Sequence, residues 1–415
     1  MTYDAIVIGA GLAGLTAALR VADDGQRVLV VAKGVGGTHL APPTIDALGY
    51  VDGPVARPAD ALADFVAASP EHPYARVGPE TIRAGLEWLT GRFGELGYRG
   101  GLDENVLLPT AVGVAKPTAL VPETMAGGDL RAGGSFVFVG LRGLKDFYPA
   151  YLADNLARTA SVSARAVELA PDLGGEGDVS GPGFARRFEQ PEFRDLVLRE
   201  LEPQLGADEL VGFPAVLGLG RAGRVWRELE TRLERRVFEV PTLPPSVGGA
   251  RLFEAFAAAL RRAGARVVIG SPVSGAEADG RRLDGVTVET AARPYTHRAR
   301  SFVLATGGFA SGALHLDSHG QLSETVLDLP VAGAPAGGAP RFAPGYFDEH
   351  PLAGAGIAVD DELRPLGADG GPAFENLHAA GAILGGATPW KEASGNGISL
   401  ATGYAAASAI IERAS

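Results

Sequence analysis

The segment that decides the fold lies at the start of the chain and reads Tyr3-Asp4-Ala5-Ile6-Val7-Ile8-Gly9-Ala10-Gly11-Leu12-Ala13-Gly14. Its first half, from Tyr3 to Ile8, is a short apolar run that is typical of a buried strand. A helix pattern from Leu15 to Ala22 follows the glycines, and Arg27 to Ala32 forms a second apolar run. These elements predict a βαβ unit, which implies a parallel sheet.

Three glycines in this segment have the spacing that lets a backbone hold a phosphate. Gly9 permits a tight turn, Gly11 lets the backbone approach the phosphate, and Gly14 lets helix and strand pack closely. The N-terminus of the following helix attracts the anion. Because a strand, a helix and a second strand surround the glycines, the pattern predicts nucleotide binding. A glycine-rich turn without a ligand is the competing interpretation.

The end of the second predicted strand departs from the usual dinucleotide pattern. An Asp or Glu normally stands there, about 20 residues beyond the glycines, and accepts the ribose hydroxyls. This chain has Ala32 followed by Lys33 at that place. A mononucleotide such as FMN needs no such acid, so the sequence favours FMN. FAD or NAD bound through a different ribose contact is the alternative.

Composition narrows the classes of function. The 415 residues include 59 glycines and 46% hydrophobic residues, which fits a globular protein with many tight turns. A formal net charge of -12 without a basic run argues against a nucleic-acid partner. The absence of cysteine excludes disulfides, cysteine-ligated zinc and protein-held iron–sulfur clusters.

The sequence also bears on location and on metals. No apolar stretch reaches the ~18 residues that a membrane-spanning helix needs, and the N-terminus lacks the basic region of a signal peptide. We therefore expect a cytoplasmic protein without a transmembrane segment. We predict no metal site, because the 7 histidines lack the spacing of a metal-binding motif.

Two later glycine-rich segments are further candidates for cofactor contacts. Thr306, Gly307 and Gly308 follow a predicted buried strand, where backbone could lie beside the phosphate region of a cofactor. Gly381 begins a second glycine-rich turn, and the segment 394–399, which contains Gly397, Ile398 and Ser399, opens a long helix. Its free N–H groups and dipole could stabilise negative charge on a bound cofactor. A simple strand-to-loop turn and an ordinary helix cap are the alternatives.

The chain resembles the flavoproteins of the fumarate reductase and succinate dehydrogenase superfamily. The resemblance lies in the N-terminal βαβ unit, in residues 250–308 and in residues 376–403. More narrowly, several segments are similar to the B subunits of anaerobic glycerol-3-phosphate dehydrogenases: GAGLAGL, HPYARVGP, VGLRGLKDF, PTLPPSVGGARL, LATGGFASG and AGAILGG. These segments are spread over nearly the whole chain, and the proline-rich one is much more specific than the glycines.

The resemblance implies an α/β protein with a Rossmann-like FAD/NAD(P)-binding flavoprotein fold, a β-meander and an inserted second α/β domain. We expect residues 1–134 to form the first half of the flavin-binding domain, with irregular loops. Residues 135–240 would form the inserted α/β domain. Residues 241–415 would form the second half of the flavin-binding domain.

The resemblance further implies an FMN-dependent subunit of an enzyme that oxidises sn-glycerol 3-phosphate to dihydroxyacetone phosphate and passes the electrons to quinone. Its partners would be a catalytic, FAD-bearing A subunit and an iron–sulfur, membrane-anchoring C subunit, through which this chain would attach peripherally to the membrane. The absence of cysteine agrees with that division. Two alternatives stay open: an independent FAD-dependent dehydrogenase or oxidase of a small hydroxylated substrate, and a non-catalytic scaffold with a degenerate flavin site.

Residues in contact with substrate are harder to predict. Related flavoproteins carry a loop over the isoalloxazine at the position of Thr38 and His39, and in some of them a histidine is covalently attached to the flavin. A surface or hydrogen-bonded histidine is the alternative for His39. A phosphorylated alcohol would need basic side chains on its phosphate and a base near its hydroxyl. The weak candidates are His39, His350, Arg251 and Lys391, each of which could equally be a surface charge or a structural contact.

Overall fold

The computed structural model describes residues 2–159, 161–335, 339–345 and 348–414. Contacts divide the chain into two compact units. The first unit comprises Met1–Gly37, Ala59–Trp88 and Ala255–Ser415, and the second unit comprises Thr38–Pro58 and Leu89–Glu254. The predicted division at residues 134 and 240 stays a prediction beside this one.

The secondary structure alternates between strands and helices along most of the chain. The strands are β1 Thr2–Ile8, β2 Val28–Ala32, β3 Arg99–Gly100, β4 Val106–Pro109, β5 Ala115–Thr118, β6 Leu120–Val121, β7 Ser135–Leu141, β8 Ser163–Leu169, β9 Glu209–Pro214, β10 Val237–Val240, β11 Arg266–Ile269, β12 Val273–Asp279, β13 Arg282–Val288, β14 Tyr295–Leu304, β15 Leu314–Leu316, β16 Leu322–Glu324, β17 Val331–Ala332, β18 Gly356–Ile357 and β19 Leu377–Ala379. The helices are α1 Leu12–Asp23, α2 Pro58–Ala68, α3 Pro73–Arg92, α4 Glu123–Ala126, α5 Pro149–Thr159, α6 Gly181–Phe188, α7 Pro191–Leu201, α8 Ala222–Leu233, α9 Val247–Arg262, α10 Pro389–Glu392 and α11 Gly395–Ala414. In the described part of the chain no helix is long and apolar enough to span a membrane.

The first unit is built on a sheet whose strand order is β11-β2-β1-β14-β13-β12, with β19 beside β14. Strand β1 is parallel to β2 and to β14, and β2 is parallel to β11. Strands β12, β13 and β14 form an antiparallel meander. Residues Ala5, Ile6 and Val7 are fully buried, because the inner strands of a parallel sheet are covered on both faces. The predicted Rossmann-like fold with a β-meander is therefore confirmed.

The second unit contains a smaller parallel sheet in the order β10-β9-β7-β8. Helix α5 connects β7 to β8, and α8 connects β9 to β10, so both connections are βαβ units. Phenylalanines fill the core next to the sheet: Phe136, Phe138 and Phe238 belong to one cluster, and Phe184, Phe188 and Phe213 belong to another. This sheet confirms the predicted second α/β domain.

Candidate cofactor site

The turn between β1 and α1 can be formed only by glycine at two of its positions. Gly9 has φ +119°, and a Cβ on it would lie 2.1 Å from the carbonyl oxygen of Ala305. A Cβ on Gly14 would lie 2.1 Å from the carbonyl oxygen of Gly9. Gly11 is different, because apart from its chain neighbours no atom of the described residues lies within 4 Å of the position of its missing Cβ. The space in front of Gly11 is therefore open, as close approach of a phosphate requires.

Helix α1 leaves its N-terminal N–H groups without a side-chain cap. Gly11 is the N-cap residue, no side chain caps the helix there, and the first turn carries no acidic residue. Free N–H groups at a helix N-terminus carry partial positive charge. This end of α1 is therefore suited to bind an anion.

The segment Thr306–Gly308 lies beside this turn. The Ala305 N–H donates to the carbonyl oxygen of Ile8 at 2.8 Å, which fixes the end of β14 next to the end of β1. Gly307 has φ +81°, and a Cβ on Gly308 would lie 2.9 Å from the carbonyl oxygen of Ala382. Because these positions are glycines, the segment can lie close to the β1–α1 turn and to the loop that contains Ala382.

The third glycine-rich segment, in the C-terminal part of the chain, packs against α1. A Cβ on Gly381 would lie 2.8 Å from the Cβ of Ala13, and one on Gly403 would lie 2.4 Å from the carbonyl oxygen of Ala13. The Gly381 N–H donates to Thr402 Oγ1 at 2.9 Å, which ties the loop to α11. All three predicted glycine motifs therefore meet within the first unit.

The beginning of α11 is packed into the same unit. Gly397 and Ile398 are buried and Ser399 is half-buried. The Ser399 Oγ lies 3.7 Å from the position of a Cβ on Gly381. The first turn of α11 carries no acidic residue, so its N–H groups are compatible with negative charge on a ligand.

Two buried hydroxyl groups beside these motifs support the binding of a polar ligand. Thr16 Oγ1 on α1 and Thr306 Oγ1 have no hydrogen-bond partner among the described residues. Buried polar atoms are almost always hydrogen-bonded in folded proteins. Together with the open space at Gly11, these hydroxyls fit a cofactor that carries phosphate and hydroxyl groups.

The end of β2 contains no carboxylate. Ala32 is buried, and its carbonyl oxygen accepts from the N–H groups of Gly270 at 2.9 Å and Ser271 at 3.1 Å. Lys33 is exposed. Gly36 has φ +74°, and a Cβ on it would lie 2.7 Å from the backbone nitrogen of Gly11. The chain after β2 therefore returns to the phosphate-binding turn without offering an acid for a ribose.

Thr38 and His39 belong to the second unit. The His39 ring packs edge-on against Phe253 with the ring centroids 4.7 Å apart, and the His39 carbonyl oxygen accepts from the Ser246 N–H at 2.8 Å. A Cβ on Gly249 would lie 2.0 Å from the carbonyl oxygen of Thr38. Residues of the PTLPPSVGGARL segment thus hold this loop in place.

The His39 imidazole has a ring nitrogen available for a ligand. Burial lowers the pKa of His39, and the nearby carboxylate of Glu254 opposes this only in part. Its Nε2 and the Oγ1 of Thr38 are buried and have no partner among the residues that the structure describes. The two roles expected of His39, as a base and as a point of covalent flavin attachment, stay predictions.

The other three candidates for catalysis lie in different surroundings. Arg251, in the second unit, donates to Glu239 at 2.6 and 2.9 Å and to the carbonyl oxygen of Gly218 at 2.8 Å. In the first unit, His350 Nδ1 accepts from the Ala343 N–H at 3.2 Å. Lys391 Nζ lies 3.5 Å from the exposed carboxylate of Glu349. Arg251 therefore has an evident structural partner, whereas Lys391 is held only loosely.

Sequence reasoning missed a buried pair in the first unit. His72 Nε2 lies 3.1 Å from Glu392 Oε2, although the two residues are 320 positions apart. No periodic pattern spans such a separation. The only local signals are that His72 lies in the HPYARVGP segment and that Glu392 stands two positions before Ser394. Among the described residues, no group of three or more His, Asp or Glu is arranged to hold a metal ion.

Fold and site together define a flavin-binding protein of the α/β class. Residues 4–398 match the family described as FAD binding domain. The chain is 35% identical to the B subunit of the probable anaerobic glycerol-3-phosphate dehydrogenase of Halobacterium salinarum, over 99% of this chain and 98% of that protein. It is 31% identical to the corresponding B subunit of Vibrio cholerae, over 99% of this chain and 97% of that protein.

The chain therefore belongs to the family of anaerobic glycerol-3-phosphate dehydrogenase B subunits, within the FAD binding domain family. This confirms the resemblance seen in the sequence. Among solved structures, a 3-ketosteroid delta1-dehydrogenase from Sterolibacterium denitrificans matches 99% of this chain and 100% of that chain, with 14% identity and a TM-score of 0.48.

Proposed function

We propose that this chain is the FMN-carrying flavoprotein subunit of an anaerobic glycerol-3-phosphate dehydrogenase. The complex would oxidise sn-glycerol 3-phosphate to dihydroxyacetone phosphate and deliver the electrons to quinone. The names of the relatives support the reaction. The open, uncapped N-terminus of α1 at Gly11 is the observation that carries the cofactor role.

The choice of FMN over FAD rests on the end of β2. An adenosine ribose is usually held there by a carboxylate, and this chain offers the buried methyl group of Ala32 and the exposed ammonium group of Lys33. The Ala32 carbonyl oxygen is already used by Gly270 and Ser271. A single phosphate on the N-terminus of α1 needs none of these contacts.

Different residues of the chain would contact different parts of the flavin. The N–H groups at Gly11 and in the first turn of α1 would bind the phosphate, and the Thr306 hydroxyl, which has no partner in the described part of the chain, would gain one. The first turn of α11 would stabilise negative charge near Gly397 and Ile398. The bound flavin would supply the electron-accepting chemistry.

The absence of cysteine from this chain indicates which partner subunits the complex needs. It contains no cysteine, so iron–sulfur clusters would have to be carried by another polypeptide of the complex. We propose an FAD-bearing A subunit and an iron–sulfur C subunit as partners. The C subunit would also attach the cytoplasmic complex to the membrane.

The test is to purify the chain, denature it and identify the released flavin by mass and chromatography. Released FMN is the expected result. Released FAD would overturn the FMN assignment and favour an independent dehydrogenase. Flavin that stays on the denatured chain would assign covalent attachment, with His39 as the residue to substitute. A colourless protein that gains no flavin even with its partners would contradict the proposal and leave a scaffold role.

A further inference from the structure

A buried histidine and a buried glutamate in the first unit form a closely connected pair. The side chain of His72 is 1% exposed and that of Glu392 is 11% exposed, and their Nε2 and Oε2 atoms lie 3.1 Å apart. His72 Nδ1 accepts from the Tyr74 N–H at 3.1 Å, and its ring packs against the ring of Phe65. Because Nδ1 is an acceptor, the ring hydrogen is on Nε2, and His72 is the donor to Glu392.

The Glu392 carboxylate accepts hydrogen bonds from several groups of the segment that precedes α11. Its Oε1 accepts from the Thr388 N–H at 2.6 Å and from the Thr388 hydroxyl at 3.1 Å, and its Oε2 accepts from the Ser394 hydroxyl at 2.7 Å. Burial by itself raises the pKa of Glu392, but the hydrogen bonds from His72, Ser394 and Thr388 outweigh it and leave that pKa below the ordinary value. The carboxylate is therefore ionised and saturated with donors.

This carboxylate is connected directly to the first turn of α11. Ser394 is fully buried, and its carbonyl oxygen accepts from the Ile398 N–H at 2.8 Å. A second contact joins the same two segments, since a Cβ on Gly386 would lie 2.1 Å from the carbonyl oxygen of Glu71. The turn around His72 thus holds the segment 386–394 at two points, and α11 starts where that segment ends.

We propose that His72 and Glu392 are positioning residues that fix the first turn of α11 for flavin binding. The inference rests on the proposed function, because the ligand of that turn is the flavin. The pair transfers no proton. Its effect is to keep the first turn of α11 in one arrangement before the flavin binds, so that binding does not have to pay the entropy cost of ordering that turn.

The experiment uses Glu392→Gln and His72→Ala, with His72→Gln as the conservative variant. Glutamine at position 72 keeps an N–H donor, whereas alanine removes it. His315→Ala is the matched control, because His315 is an exposed histidine of the same unit. Two quantities are measured on folded protein: amide hydrogen exchange in residues 386–400 of the flavin-free chain, and the dissociation constant of FMN.

Glu392→Gln and His72→Ala should each raise both the exchange rate and the dissociation constant about tenfold, as loss of a hydrogen bond to a charged group implies. His72→Gln should give a smaller change, and His315→Ala none. Unchanged exchange in residues 386–400 would overturn the positioning role. Faster exchange with an unchanged dissociation constant would reduce the pair to a purely structural one. A wild-type chain that binds no flavin would instead overturn the proposed function, while the exchange data would still decide whether the pair orders α11.

Discussion

Each unit contains a βαβ element, and neither helix has a side-chain cap at its N-terminus. The two elements differ in the turn that leads into the helix. In β1–α1–β2 no side chain caps the helix at Gly11, and the space there is open. In β9–α8–β10 one carboxylate oxygen of Glu189 accepts from three consecutive N–H groups just before α8, at 2.9, 2.7 and 3.0 Å. Converging N–H groups favour negative charge. In the second unit the carboxylate of Glu189 supplies this charge to the turn before α8, whereas in the first unit we propose that a ligand supplies it.

This difference is the reason why we propose a nucleotide site in the first unit and not in the second, although both contain a parallel α/β layer. Both sheets are parallel where the βαβ element lies, and both helices follow a buried strand. What separates them is the turn before the helix, where a carboxylate accepts from three N–H groups in the second unit and the space at Gly11 is open in the first. The same contrast extends to Arg251, whose charge the second unit neutralises with Glu239, and to the Thr16 and Thr306 hydroxyls, which in the first unit lack partners among the described residues.

The largest effect is expected from breaking the internal charge pair of the second unit. Arg251→Met would leave Glu239, which is fully buried, without its cation. Removing one partner of a buried ion pair costs about 3–5 kcal/mol of unfolding free energy. Urea unfolding measures this loss, and Arg227→Met, at a largely exposed arginine, is the control. A variant with wild-type stability but impaired substrate oxidation would contradict this and restore Arg251 as a substrate residue.

A smaller effect is expected from removing the carboxylate that binds the turn before α8. Glu189→Ala removes the acceptor of three N–H groups, and because water can reach this half-buried position the cost is about 1–2 kcal/mol. The variant should also acquire a response that the wild-type second unit lacks, namely a rise in unfolding temperature on addition of sulfate. Flavin content should not change. If sulfate stabilised wild type and variant equally, the carboxylate would not be acting as the anion of the turn before α8.

The smallest effect is a pH dependence carried by Glu392. Its pKa lies below the ordinary value because the hydrogen bonds from His72, Ser394 and Thr388 outweigh the effect of burial. The stability that it contributes is therefore fully present above the ordinary value of 4.5 and is lost as the pH falls through the folded-state pKa. The difference in unfolding free energy between wild type and Glu392→Gln should shrink in acid. A difference in unfolding free energy that grew on acidification would contradict the predicted direction of this pH dependence.

Much of the fold was predictable because the deciding signals are local. The strand, glycine turn and helix from Thr2 to Asp23 follow one another directly, so residue type and period are enough. The meeting of Gly9 with Ala305 and of Gly381 with Ala13 was not visible, because it depends on contacts between distant segments. The sequence could say that glycines were needed at these places, but not what they pack against.

Prediction of the site residues from the sequence was limited in the same way, because contacts between distant positions are not visible there. The missing carboxylate at Ala32 could be read directly, since its place relative to the glycines is fixed by the βαβ unit. The sequence around Arg251 carried no sign of its partner Glu239. Arg251 was a weak candidate for the substrate, with a structural contact as the alternative, and the structure shows it in an ion pair. His72 was visible in its motif, whereas Glu392 became meaningful only when folding brought it within 3.1 Å.

The most direct test of the account is the affinity for FMN of Gly11→Ala compared with Gly275→Ala. Apart from its chain neighbours, neither added methyl group meets an atom of the described residues within 4 Å, so both variants should fold with nearly wild-type stability. Only the methyl group at position 11 would stand where the phosphate approaches α1. We predict that Gly11→Ala weakens FMN binding about 100-fold, as loss of charged hydrogen bonds worth about 3 kcal/mol implies, and that Gly275→Ala binds as wild type does. Equal affinities of the two variants would contradict the claim that the uncapped N-terminus of α1 binds the flavin.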